Sequence, residues 1–298
     1  MATVQNNTEA VSSFIKTSRH DTYEFISPKK VDFYGKSVFI TGASKGVGRE
    51  TALSFAAAGC CEIGIGARSD LSSLVADIKE AAKKAGRARE PKVVSLKLDV
   101  TLEESVKAAA ETISKEFGGK LDVLVNNAGY LEEWRHIGDA TSEWWTTYEI
   151  NVKGVLLCSK YFTPLLLESD LKTNVLTSSI GAVFVTPGAS AYQSSKFAIC
   201  RIAEFMATEY EDRGLICFAI HPGGVKTELA VNMPQWMHKA LVDAPQMTAD
   251  STVWLTSERR PWLSGRFINT NWDMEELEAK KDEIVKGDLL KFRLTTSF

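Results

Sequence analysis

Tyr192 and Lys196 stand four residues apart in the segment AYQSSKFAI. On a helix that spacing brings both side chains to one face. A free tyrosine titrates near ~10 and is a poor base at neutral pH. A neighbouring ammonium favours the phenolate and lowers that value. The result is a proton donor and acceptor of the kind that carbonyl reduction or alcohol oxidation needs. The pair by itself is an ordinary helical spacing, so its surroundings decide the reading. Ser179 lies thirteen residues upstream, at the end of the run NVLTSS. Strand alternation points its neighbour Ser178 to the opposite side.

A second constellation is the turn Thr41-Gly42-Ala43-Ser44-Lys45-Gly46-Val47-Gly48. A β-branched run, SVFITG, enters it, and the helical pattern VGRETALSFAAAG leaves it. Glycines permit a tight turn and a close approach of backbone to phosphate. A helix N-terminus adds unpaired N–H groups and a positive dipole end. The rest of the chain keeps this rhythm. EIGIGA reads as a second strand, residues 70–86 as a helix, KVVSLKLDV as a third strand and EESVKAAAETISKEFG as a helix. LDVLVNNAG is a strand, 142–167 a helix, NVLTSSI a strand, 191–214 a long helix, LICFAIHPGG a sixth strand, and SGRFINTNWD holds a last one. Alternation of this kind predicts an α/β fold, a doubly wound parallel sheet with helices on both faces. The strands are near-continuous apolar runs, as burial on both faces requires.

Composition narrows the function classes. The 298 residues are 44% hydrophobic and 24% charged, the balance of an ordinary globule. A net charge of −3 and the absence of a Lys/Arg block argue against a nucleic-acid partner. No apolar run reaches the ~18 residues of a membrane span, and the N-terminus lacks the order of a signal peptide. The expected location is cytoplasmic. Five cysteines without metal spacing read as free thiols, Asn6-Asn7-Thr8 as a chance sequon, and no metal site is expected. Residues 1–30 read as a polar arm, 31–272 as one domain, and 273–298 as a charged tail with a solvated face.

Taken together, the motifs resemble the short-chain dehydrogenase/reductase family over about residues 36–270. TGASKGVG resembles its T-G-x-x-x-G-x-G cofactor motif, Asn126-Asn127-Ala128-Gly129 its N-N-A-G motif, and Asp99-Val100 its adenine-contacting pair. The resemblance implies a single Rossmann domain and a nicotinamide cofactor. That cofactor would be held by Gly42, Ser44, Lys45, Gly46, Val47, Gly48, Asp99, Val100, Asn126, Ala128 and Gly129. It also implies a catalytic set. Tyr192 is the acid/base, and Lys196 and the positive charge of oxidised nicotinamide lower its pKa. Ser179 polarises the substrate oxygen, and Asn151 holds a helix kink and a water linked to the lysine. Tyr192 and Lys196 touch the cofactor as well. The stretch Pro222-Gly223-Gly224-Val225-Lys226-Thr227 resembles the family's P-G-x-V-x-T. Pro222, Gly223, Val225 and Thr227 are therefore expected at the nicotinamide, and the adjacent His221 reads as a structural or hinge residue.

An acidic residue closing the second strand would bind a ribose 2′-hydroxyl and repel a 2′-phosphate. That place falls at Gly66 or Ala67, followed by Arg68 and Ser69, and Lys45 is a second cation nearby. The expected cofactor is NADP(H), since a guanidinium fork can grip a phosphate. Residues 228–247 are the expected lid. Met233, Trp236 and Met237 there, with Tyr130 and Phe184, predict a pocket for a bulky, mostly apolar ketone or secondary alcohol. The family resemblance implies a homodimer or homotetramer. Two other readings fit the same motifs: a redox-neutral isomerase that retains its cofactor, and a non-catalytic NADP(H)-sensing or scaffold protein.

Overall fold

Seven strands form one parallel sheet in the order β3-β2-β1-β4-β5-β6-β7. They are β1 (Ser37–Thr41), β2 (Glu62–Ala67), β3 (Lys92–Lys97), β4 (Val123–Asn126), β5 (Thr173–Thr177), β6 (Ile216–His221) and β7 (Phe267–Asn269). The computed structural model describes residue 11 and residues 13–294, so Asn6-Asn7-Thr8 lies outside it. Along each strand alternate side chains enter opposite layers. Val38, Ile40, Ile63, Ile65, Phe218 and Ile220 join one core with helices α1 (Gly46–Ala57), α2 (Ser72–Lys84) and α7 (Pro245–Thr256). Phe39, Leu124, Leu176, Cys217 and Ala219 join the other with α3 (Glu103–Glu116), α5 (Gly154–Leu167) and α6 (Ser190–Glu209). Each fully buried Phe or Ile contributes roughly 1.5–3 kcal/mol. The helices therefore hold the strand ends in fixed register.

The sheet order reverses between β1 and β4. Ligands of such sheets bind at the carboxyl ends of the strands beside that reversal. A cavity of about 650 Å³ lies there.

Three departures from the sequence reading matter. The helix expected over 142–167 is α4 (Glu143–Tyr148), a π-helical turn at Glu149–Lys153, and then α5. The described part of the arm is docked rather than loosely appended. Ile15 and Ile26 are buried in the first core, Ser18 bridges Trp272 antiparallel, and Arg19 pairs with Asp273 at 2.7 Å. The charged tail forms α8 (Met274–Ala279) and α9 (Lys281–Lys286), and buries Met274, Leu277 and Ile284. Their apolar spacing gives each short helix an inward stripe that the charge run conceals. All five cysteines are free thiols, four of them buried. No helix among the described residues is long and apolar enough to cross a membrane.

Candidate active site

The first wall of the cavity is the β1–α1 turn. Gly42 has φ +65°, and a Cβ there would stand 2.7 Å from the Ala128 backbone. Only glycine accepts both conditions cheaply. Thr41 Oγ1 accepts hydrogen bonds from the backbone N–H of Asn127 and Ala128, both at 3.0 Å. Asn127 Nδ2 returns bonds to the carbonyls of Thr41 and Gly42 at 3.0 and 3.1 Å. The turn is thus clamped to the end of β4. Helix α1 starts at Gly46 with no side-chain cap. Its first N–H groups have no intrahelical acceptor, and Gly46 and Val47 line the cavity.

Ala67, Arg68 and Ser69 form the rim beyond β2. Arg68 is exposed. Asp99 lies opposite. Burial raises its carboxyl, but hydrogen bonds from Thr101, with Arg68 and Lys153 nearby, outweigh burial and hold it below its usual range. Lys45 forms an exposed ion pair with Glu228. Such a pair contributes little, so the lysine is easily recruited by a stronger anion.

The other end of the cavity is buried. Helix α6 carries Tyr192 and Lys196, and Lys196 Nζ lies 5.6 Å from the Tyr192 ring centroid. Lys196 donates to the Thr177 carbonyl at 2.8 Å. Burial pushes its ammonium down to about 8, opposed slightly by Cys200. Burial pushes the Tyr192 phenol up to about 12, opposed by the nearby Ser179 hydroxyl. The expected fall, which also counted on the positive charge of oxidised nicotinamide, is not a property of the protein alone: desolvation, with Glu132 adding to it, outweighs Ser179. Ser178 points away, donating to the Lys196 carbonyl at 2.8 Å.

Asn151 sits in the π-helical turn, fully buried. Its Oδ1 accepts from the Tyr130 N–H at 2.8 Å, and its Nδ2 donates to the Tyr130 carbonyl at 2.9 Å and to Ser195 Oγ at 3.0 Å. The π-bulge redirects this residue out of the α-helical register. A Cβ on Gly129 would stand 3.5 Å from Asn151 Oδ1 and 3.6 Å from Lys196 Nζ. Asn151 is thus beside the lysine but does not line the cavity.

Of the expected cofactor residues, Gly42, Ser44, Lys45, Gly46, Val47, Arg68, Ser69, Asp99, Val100, Ala128, Gly129, Tyr192, Lys196, Pro222, Gly223, Val225 and Thr227 line this one cavity. Gly48 and Asn126 do not. Gly48 packs directly under Asn127, and Asn126 Nδ2 donates to Asn174 Oδ1 at 2.9 Å within the sheet. Met233 and Met237 line the cavity, but Tyr130, Phe184 and Trp236 do not. Tyr130 has its phenol raised by burial and by the carboxylate of Glu143, Phe184 is half-buried elsewhere, and Trp236 is 62% exposed on the 3₁₀ turn Gln235–Ala240. The segment expected as a lid holds two short turns, and Met247, placed at its end, is buried in α7.

Sequence reasoning missed two groups. Glu132 is buried, accepts the Tyr192 N–H at 3.1 Å and the Thr147 hydroxyl at 2.7 Å, and so anchors the start of α6. Its position just after the N-N-A-G segment was the available signal. His20, Asp243, Asn269 and Asn271 also line the cavity, from segments far apart in the chain, beside Trp272 of the C-terminal segment. His221 lines it too, pushed down to about 4 by burial, with Nδ1 unpartnered among the described residues.

Comparison with known proteins agrees with this architecture. The family model described as short chain dehydrogenase matches residues 36–238. The short chain dehydrogenase mpl6 of Monascus purpureus is 46% identical over 283 residues, covering 95% of this chain and 96% of its own length. A short-chain type dehydrogenase/reductase from Mycobacterium marinum superposes with TM-score 0.68 at 25% identity, over 80% of this chain and 94% of that one. An alcohol dehydrogenase from the archaeon Thermococcus sibiricus, solved with 5-hydroxy-NADP, gives TM-score 0.63 at 27% identity, over 74% and 89%. With an uncapped helix N-terminus, the clamped glycine turn and a tyrosine–lysine pair on one cavity, the chain belongs to the short-chain dehydrogenase/reductase family.

Proposed function

We propose that this protein is an NADP(H)-dependent oxidoreductase acting on a bulky, mostly apolar ketone or secondary alcohol. The observation that carries the reading is that Tyr192, Ser179 and Lys196 share one cavity with the glycine turn and Arg68. The residues fit a dinucleotide. Uncapped N–H groups at Gly46 and Val47 suit a pyrophosphate, and Arg68 with Lys45 suits a 2′-phosphate where no carboxylate closes β2. When bound, the nicotinamide supplies the hydride chemistry. The solved Thermococcus sibiricus relative carries an NADP derivative, which supports the phosphate reading.

In this reading Tyr192 is the proton donor. At neutral pH its phenol is protonated, ready to give a proton to a carbonyl oxygen, and Ser179 offers a second hydrogen bond to that oxygen. Lys196, with an ammonium that titrates near 8, supplies positive charge beside the phenol and steadies the phenolate left behind. Asn151 fixes the backbone around Tyr130 next to Lys196. Leu131, Ile180, Leu229, Met233 and Met237 provide the apolar lining, and the methionines adapt to an irregular ligand. Exposed Leu156, Phe197 and Phe205 on α5 and α6 support self-association, and the free thiols support a reducing compartment.

The test is an NADPH-consumption assay across a panel of apolar ketones, with Tyr192→Phe as control. Turnover lost in the variant with NADPH binding kept is the expected result. Substrate conversion with no net loss of NADPH absorbance would point to a redox-neutral reaction instead.

A further inference from the structure

The N-terminal arm reaches the cavity through Val11, Ser18 and His20, none of which the proposed chemistry uses. Ser18 and His20 line the wall, and the backbone around them is pinned. The Arg19 N–H donates to the Asn271 carbonyl at 2.7 Å, Asn271 Nδ2 donates to the Arg19 carbonyl at 2.9 Å, and the Ala244 N–H donates to the His20 carbonyl at 2.8 Å. His20 Nδ1 meets Asp243 Oδ1 at 2.5 Å. With Asp243 ionised, Nδ1 is the donor. The carboxylate's other oxygen accepts the Gly224 N–H at 2.5 Å. The Asp243 N–H also donates to the Gly224 carbonyl at 3.0 Å. Asp243 lies so close to the 222–225 loop that a Cβ on Gly223, where φ is +77°, would stand 2.6 Å from Oδ2. Asp243 is 8% exposed, so its charge depends on these two donors for compensation.

We propose that His20 is a positioning residue for the nicotinamide end of the cofactor, acting through Asp243 on the 222–225 loop. The inference rests on the cofactor reading above. The His20 side chain is 60% exposed, so without it the carboxylate has only water on that side, and its re-aiming toward solvent shifts the Gly224 N–H. The loop is anchored on its far side by Thr248 Oγ1, which donates to the Pro222 carbonyl, so displacement at Gly224 turns the loop rather than translating it. The arm is thereby a part of the active site supplied from about 200 residues upstream in sequence.

The experiment uses the full chain and two probes. NADPH reports both ends of the cavity, and adenosine 2′,5′-bisphosphate reports only the adenosine end. His20→Ala is expected to raise the Kd for NADPH about tenfold, the ~1.4 kcal/mol of one charge-assisted hydrogen bond. It is expected to leave the bisphosphate Kd unchanged. His20→Asn, whose amide can still donate to Asp243, is expected to recover most of the loss. Arg19→Ala breaks a neighbouring arm contact that does not touch the loop and serves as the structural control. Equal NADPH binding by His20→Ala and the wild type overturns the inference. So does parallel weakening of both probes, or a loss matched by Arg19→Ala and not rescued by His20→Asn, since each marks a merely structural arm. Failure of the wild type to bind NADPH at all would instead overturn the cofactor reading.

Discussion

The two ends of the cavity are built in opposite ways. The glycine-turn end is made largely of backbone, from the β1–α1 turn and the short segments that follow β2, β3 and β4, with Arg68 and Lys45 exposed at its rim. The tyrosine end is made of buried residues brought from four segments: Asn151, the Thr177–Ser179 strand end, Tyr192 with Lys196, and His221. The first end meets charge in water and can be formed locally. The second works by desolvation, which shifts Tyr192 up to about 12, Lys196 down to about 8 and His221 down to about 4. Screening limits each charge at the rim, whereas burial multiplies the effect of every group at the tyrosine end.

Substitutions at the two ends should therefore separate chemistry from binding. Tyr192→Phe should lower kcat by about 10²–10⁴-fold, the range of general acid catalysis, with the NADPH Kd nearly unchanged by fluorescence titration. Binding lost together with turnover would make Tyr192 a structural residue and erase the contrast.

The His221 imidazole protonates near 6.5 when unfolded and near 4 when folded. Between those values the unfolded chain holds more protons, so stability should fall as pH drops from 6.5 to 4. The loss is at most roughly 3 kcal/mol. Urea titrations at pH 7 and pH 4.5 should show a smaller acid loss for His221→Asn than for the wild type. An equal acid loss in both would assign it to other groups.

At the rim, Arg68→Ala should raise the NADPH Kd roughly 10–100-fold, the worth of a charged hydrogen bond, and leave NADH within about twofold. Equal losses for both cofactors would remove the 2′-phosphate assignment. The smallest effect should come from Glu228→Gln. Freeing Lys45 from an exposed pair should tighten NADPH by about two- to fivefold at low salt, and the gain should vanish at high ionic strength.

Much of this contrast was legible beforehand, and what was not had physical causes. The strand–turn–helix at Gly42 and the i, i+4 pair at Tyr192 are local patterns, and both register in the fold as read. Helix α7 was not read because its residues 247–256 are all buried, which leaves no polar face and no period to detect. Tyr130 and Trp236 were expected in the pocket because they are aromatic and near the motifs. Proximity in sequence does not set side-chain direction, and Tyr130 lies by Glu143 and Trp236 in solvent instead.

By itself the sequence determined the sheet's alternation, the phosphate turn and the tyrosine–lysine face, because each depends on neighbours within a few residues. Only the tertiary structure decided that His20 would meet Asp243, that Glu132 would accept the Tyr192 N–H at the start of its helix, and that burial would raise Tyr192 in the chain by itself. Those outcomes depend on burial and on contacts across many residues of chain. Both are set by the packing of whole layers rather than by any local pattern.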